Sequence, residues 1–136
     1  MNIMTDLSYS IALGGLAKHL GIPERDFLEQ PALSIDDVTF TLSLSERPAM
    51  TCLQAACVVT KIPPDFPTDQ LHLLLRMNLL GAATKGGTIG LQRDGQLVLA
   101  QRFALDTLLR VITRHLQTMA DCTKQWEAAI FKSIWN

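Results

Sequence analysis

The chain is poor in charge, in aromatic side chains and in cysteine. Of its 136 residues 18% are charged and 6% aromatic, with one tyrosine, and 12 Lys and Arg nearly balance 13 Asp and Glu for a net charge of −1. No basic block or stripe occurs, so electrostatics gives no reason to expect nucleic acid or an anionic membrane as a partner. Cys52, Cys57 and Cys122 are odd in number, and the first two share a strand-like run in which they cannot easily pair. This fits a reducing cytoplasm better than a disulfide scaffold. No apolar run approaches the roughly 20 residues that span a bilayer, and Met1 to Asp6 lacks the basic start of a signal peptide.

What is abundant is aliphatic surface. The chain is 48% hydrophobic with positive mean hydropathy. A domain of this length buries roughly two-thirds of its unfolded surface and needs no partner for stability. The composition therefore predicts apolar surface held back for contacts.

That excess is concentrated in residues 67–103. A helix from Pro67 to Gly81 has one narrow polar stripe, Asp69, His72 and Arg76, while Leu71, Leu73, Leu74, Leu75, Met77, Leu79 and Leu80 occupy nearly all the rest. Such a helix is expected to be buried from two sides, and in so short a chain the second side is most simply another copy. The following hairpin, Thr88 to Ala100, turns at Asp94-Gly95. A type I′ turn there pairs Arg93 with Gln96 and Leu91 with Val98. Ile89, Leu91 and Val98 then share one face and Leu97 and Leu99 the other, which offers one face to the core and one to an interface.

The remaining segments read as a first helix, capped by Thr5 or Asp6 and running to Leu20, with Gly14-Gly15 as a weak or closely packed middle. A turn-rich connection follows, then a short strand Ala32 to Ile35 and a turn at Asp36-Asp37. Val38, Phe40, Leu42 and Leu44 alternate with Thr39, Thr41, Ser43 and Ser45, the pattern of a strand with one wet face. A long strand spans Met50 to Ile62 and stops at Pro63-Pro64. The last helix starts near Leu105 and carries Leu108, Ile112, Leu116, Met119, Trp126 and Ile130 on one stripe to about Ile134. The expectation is a single domain over 1–136 of the α+β class: helix, three strands, helix, two strands, helix, with a twisted antiparallel sheet packed against helices.

Chemical motifs are sparse. His19, His72 and His115 lie on three different helices without metal-ligand spacing. The cysteines read as small buried hydrophobes. Gly81 to Thr88 leads from helix to strand, the reverse of a phosphate loop, so it reads as a connector. Asp36-Asp37, Glu24 and Asp26 read as turn residues. No nucleophile elbow or dinucleotide fingerprint is present, so no catalytic residue, metal ligand or cofactor is expected. Leu16 to Glu29 has the outline of a helix-turn-helix, but Glu24, Asp26 and Glu29 against Arg25 would repel DNA phosphates.

Several runs together carry a family likeness: Leu73-Leu74-Leu75-Arg76-Met77-Asn78-Leu79-Leu80, Gly87-Thr88-Ile89-Gly90-Leu91, Asp94-Gly95-Gln96-Leu97-Val98-Leu99, and the long final helix through Ala120 to Trp126. With the first helix and the Ile35-Asp36-Asp37 turn before Val38 to Leu44, the chain resembles the class I chaperones of bacterial type III secretion, the Tir-chaperone family. Members are small cytoplasmic proteins that escort one or a few effectors, and they are often more acidic than this chain. The resemblance implies a homodimer through the second long helix and the late strands, here Leu71, Leu74, Leu75, Asn78, Leu79, Leu97 and Leu99. It also implies an effector whose N-terminal segment wraps the dimer in extended form, with Leu7, Ile11, Leu13, Leu16 and Leu20 as contacts and Phe40, Leu42 and Leu53 as strand candidates. Each of these has plain core packing as its alternative. The secretion-apparatus ATPase is a further implied partner, and no nucleic acid or membrane is. A DNA-associated regulator and, behind it, a small-molecule enzyme are the alternatives in other classes.

Overall fold

The structure is a computed structural model that describes residues 3–47, 50–76, 78 and 87–135, with side chains for 7–45, 51–76, 78 and 87–130. The elements in chain order are α1 (Ile3–Leu20), α2 (Glu24–Glu29), β1 (Ala32–Ile35), β2 (Val38–Arg47), β3 (Met50–Lys61), α3 (Thr68–Arg76), β4 (Thr88–Leu91), β5 (Gln96–Ala104) and α4 (Leu109–Trp135). All strand pairs are antiparallel, in the order β1-β2-β3-β5-β4. This is the expected α+β architecture with one short helix added.

One face of the sheet is the core face. Leu33, Phe40, Leu42, Leu53, Cys57, Ile89, Leu97, Leu99 and Phe103 pack in a single cluster with Leu13, Leu16 and Ala17 of α1 and with Ile112, Leu116, Met119, Ala120 and Ile130 of α4. The spacing of the α4 residues places them on one helical stripe, so a single face of that long helix is buried. The opposite sheet face is wet: Thr39, Thr41, Ser43, Val58, Thr88, Gly90 and Arg102 are exposed. Cross-strand polar pairs decorate it, Arg102 Nε donating to Gln54 Oε1 at 3.3 Å and Ser34 Oγ lying 3.3 Å from Thr39 Oγ1.

Local signals explain the boundaries. Gly21 (φ 71°) closes α1 as a left-handed cap, with Ile22 N–H donating to Ala17 C=O (2.9 Å) and Gly21 N–H to Lys18 C=O (3.3 Å), the two bonds of a Schellman motif. Gly14 is the close approach of α1 to α2, since a Cβ there would lie 2.6 Å from Glu24 Oε1. The backbone of α1 is already helical through Thr5 and Asp6, so neither caps it.

Three expectations are corrected. The connection after α1 contains helix α2, six residues with acidic groups in the first turn, where they complement the helix dipole, and Phe27 buried. The last helix begins at Leu109, because Thr107 N–H (3.0 Å) and Oγ1 (2.6 Å) both donate to Ala104 C=O and form a turn after β5, itself four residues longer than expected. Finally, the β4–β5 loop has three residues. Gly95 N–H donates to Gln92 C=O (3.0 Å), Gln92 N–H to Gln96 C=O (2.9 Å), and only Gly95 has positive φ, 86°. This is a type I turn with a glycine bulge, which pairs Leu91 with Leu97 and Ile89 with Leu99. The slip of one residue brings Ile89, Leu91, Leu97 and Leu99 to one face and Val98 to the other. Of the α3 expectation, residues 77 and 79–81 lie outside the described residues.

The two-residue hairpin with positive φ at both positions occurs instead at Asp36 (49°) and Asp37 (67°), between Ile35 and Val38. Asp36 Oδ2 also accepts from Gln117 Nε2 and ties the turn to α4. A left-handed conformation costs an ordinary residue about 1–2 kcal/mol. Asp37→Gly is therefore expected to stabilise the fold by up to ~1 kcal/mol and Asp37→Val to destabilise it by about 1–2 kcal/mol in urea unfolding. Equal midpoints for the two variants would contradict this account of the turn.

Candidate functional site

The described surface carries large apolar side chains in separate places. On α1, Leu7 (52% exposed) and Ile11 (66%) lie four residues apart on one helical face. On α3, Leu73 (54%) and Leu75 (49%) project outward while Leu74 is buried and Leu71 packs against the core. Beside α3 lies an open depression of about 590 Å³ formed by His72, Leu75, Arg76 and Asn78. A second groove of about 430 Å³ runs under the Pro63-Pro64 loop between Ile62, Phe66, Leu71 and Leu91. The helix predicted to need burial from two sides has one side buried in its own protomer and the other still exposed.

Not every residue expected to meet a partner is at the surface. Leu7, Ile11 and Leu75 are exposed, and Leu20 and Leu71 are half-buried against the core. Leu13, Leu16, Phe40, Leu42, Leu53, Leu74, Leu97 and Leu99 are enclosed in the protomer core. For Leu97 and Leu99 the reason is the hairpin register; for Phe40, Leu42 and Leu53 it is that their strands bury the single face under α1 and α4. Leu79 lies outside the described residues. Sequence reasoning missed Leu73, Leu28, Val58, Leu91 and Leu108 as exposed apolar positions. The helical spacing of Leu73 relative to buried Leu74 was the available signal for the first.

Asn78 has a specific task at the sheet edge. Its Nδ2 donates to Ile89 C=O at 2.7 Å and its Oδ1 accepts from Ile89 N–H at 2.6 Å. One side-chain amide thus satisfies both backbone groups of a residue in β4, the outermost strand, as a neighbouring strand would. The pair also ties the chain leaving α3 to β4.

The polar chemistry available is slight. Cys57 Sγ lies 3.3 Å from Thr123 Oγ1, both buried. Burial pushes the thiol above its usual pKa, the Thr123 hydrogen bond opposes this and nearby Cys122 adds to it, so Cys57 is a neutral thiol. No group of three or more metal-ligating side chains occurs among the described residues, and none of the described helices is long and apolar enough to cross a membrane. The surface offers shape and apolar area to another polypeptide.

Against known proteins, the model of the Tir chaperone protein (CesT) family matches residues 12–126. The chain belongs to the Tir chaperone family. Over 66 residues it is 32% identical to a protein of Chlamydia pneumoniae, a match covering 48% of this chain and 51% of that one, so it spans about half the length of this curated relative. Among solved structures the chain is similar to one from the HopA1–SchA chaperone–effector complex (TM-score 0.67, 22% identity, 94% of this chain and 99% of that one). It is similar too to a chain of the Yersinia pestis type III secretion chaperone SycH in complex with a fragment of YscM2 (0.64, 23%, 85% and 96%), and to one of the ExsC–ExsE complex (0.68, 18%, 96% and 97%). The Tir chaperone fold therefore extends over nearly the whole chain, including α1, which the family match enters only at residue 12.

Truncating Asn78 leaves Ile89 N–H and C=O without their partner. Asn78→Ala is expected to cost about 1–3 kcal/mol, and Asn78→Asp to lose the bond to Ile89 C=O while keeping the one from its N–H. Amide hydrogen exchange at Ile89 checks this; protection as in the wild-type protein in Asn78→Ala would refute the edge-closing role.

Proposed function

We propose that the protein is a bacterial cytoplasmic chaperone of type III secretion, which binds the N-terminal segment of a secreted effector in extended form and keeps it soluble and export-competent. The observation that carries this reading is the presence of two separate exposed apolar patches, on α1 and on α3, in a chain of the Tir chaperone family. Two patches suit two partners of different kind. The α3 surface at Leu75, beside the depression formed with His72, Arg76 and Asn78, suits a second copy of the chain and a two-fold dimer. The α1 patch, Leu7 and Ile11, suits the apolar side chains of an unfolded client that orders on binding.

The solved structures similar to this chain bear on the reading because they include a chaperone with its effector and the SycH chaperone with a YscM2 fragment. No catalysis or cofactor enters this function, and transfer of the client to the secretion ATPase is its natural sequel. The acidic, six-residue α2 lends nothing to a DNA-binding reading.

Size-exclusion chromatography with light scattering at micromolar concentration is expected to show a dimer that Leu75→Asp converts to a folded monomer, since a charge buried without a partner costs several kcal/mol. Leu74→Asp, in the protomer core, is expected to unfold the chain instead. A monomeric wild type would remove the dimer. Co-expression with a larger secreted protein encoded by a neighbouring gene is expected to yield a soluble complex that Ile11→Asp weakens at least about tenfold without altering the dimer. Insolubility of that protein with and without the chaperone would remove the client role.

A further inference from the structure

Among the described residues Thr123, at 3% exposure, is the one polar side chain enclosed in the protomer core. The other two threonines of α4 turn their hydroxyls back onto the helix, Thr113 Oγ1 donating to Leu109 C=O at 2.8 Å and Thr118 Oγ1 to Arg114 C=O at 3.1 Å. Thr123 Oγ1 instead lies 3.3 Å from Cys57 Sγ of β3. A hydroxyl has one donor and two acceptor sites and sulfur is a weak partner, so much of the bonding capacity of this buried group is unused. Such a group is costly in a core unless another partner takes it up.

The group lines a cleft. The pairing of β2 with β3 ends at Phe40 with Cys57, although β2 begins at Val38 and β3 runs on to Lys61. At this end lies an opening of about 690 Å³, within the size range of ligand sites, lined by Cys57 and Thr123. The rest of the lining divides by chemistry. Val38, Val58 and Val98 supply hydrocarbon, while Asp37, Lys124 and Glu127 are exposed at the cleft and supply two carboxylates and one ammonium. None of these three charges is in an ion pair among the described residues. Thr123 and Glu127 are one helical turn apart on α4 and share a face, with Lys124 next to them.

Charges of both signs beside aliphatic side chains match a zwitterion better than an ion of one sign. A simple anion would meet two carboxylates, and a simple cation would meet Lys124. A free amino acid with an aliphatic side chain answers every part of the lining: its ammonium suits Asp37 and Glu127, its carboxylate suits Lys124 and a hydroxyl donor, and its hydrocarbon suits the three valines. The cleft is wider than such a molecule and open to solvent, so water fills the remainder.

We propose that the cleft between β2, β3 and α4 binds a free aliphatic amino acid, with Thr123 as the buried anchor of its carboxylate. The site uses none of the residues assigned to the client or to the second copy, so it stands or falls apart from the chaperone reading.

The test titrates L-leucine into the full-length isotope-labelled protein and follows amide chemical shifts, with isoamylamine and isocaproate, which each lack one of the two charges, as parallel arms. Saturable shifts are expected at Thr39, Val58 and Thr123 with leucine, and affinity at least about tenfold weaker for either arm. Thr123→Val, which removes the hydroxyl at nearly the same shape, and Lys124→Ala, at an exposed position, are each expected to weaken leucine about tenfold. Val58→Trp, whose ring fills the cleft from an exposed position, is expected to abolish the shifts. Absence of saturable shifts, equal affinity for the three compounds, or wild-type affinity in either polar variant would overturn the site.

Discussion

Burial of one face of the sheet beneath α1 and α4 is the contact that organises this molecule. Phe40, Leu42, Leu53, Leu97 and Leu99 reach fewer than 5% exposure only because both helices lie across the same side. At roughly 1.5–3 kcal/mol for each large side chain fully removed from water, these five alone contribute as much as the net stability of a typical domain before chain entropy is subtracted. The fold is thus secured by a two-layer arrangement, and neither the far sheet face nor the outer side of α3 is needed to hold it.

That division explains how a small chain can keep so much apolar surface exposed. Leu74 and Leu71 anchor α3 to the core, while Leu73 and Leu75 on the same helix remain in solvent. On α1, Leu13, Leu16 and Ala17 hold the helix down, while Leu7 and Ile11 project. Each helix buries some of its apolar side chains and leaves others in solvent, so a charge at an exposed position and one at a buried position have different consequences.

The architecture was largely legible because its signals are periodic. Strict alternation marked β2 and placed Phe40 and Leu42 on one face, and the α4 stripe from Ile112 to Ile130 was recognisable by its spacing. What failed was short or degenerate. An Asp-Gly pair suits a two-residue hairpin and a three-residue one equally well, and the choice of the first moved Leu97 and Leu99 to the wrong side of β5. Helix α2 has six residues and one buried apolar anchor, too little for a period. Of the expected contact positions, Leu7, Ile11 and Leu75 lie at the surface. The enclosure of the core leucines was not legible, because composition reports an apolar excess without saying which residues hold it.

The two outer strands differ in a way that bears on how an extended chain can meet this sheet. At β4 the Asn78 amide occupies both backbone groups of Ile89, so strand addition there must first displace two short hydrogen bonds. The described contacts at β1 include no such side-chain amide; Ala32 and Ser34 are exposed along it, and its hairpin turn is tied to α4 through Asp36 and Gln117. An edge without such a side-chain amide suits pairing, whereas a closed edge suits a surface kept for side-chain contact. On the proposed reading, the asymmetry would favour backbone pairing toward β1 and side-chain packing toward β4 and α3. A sheet open at both ends would invite copies to pair edge to edge, in competition with an extended client. Closing one end with a single asparagine removes that competition without covering the leucines beside it.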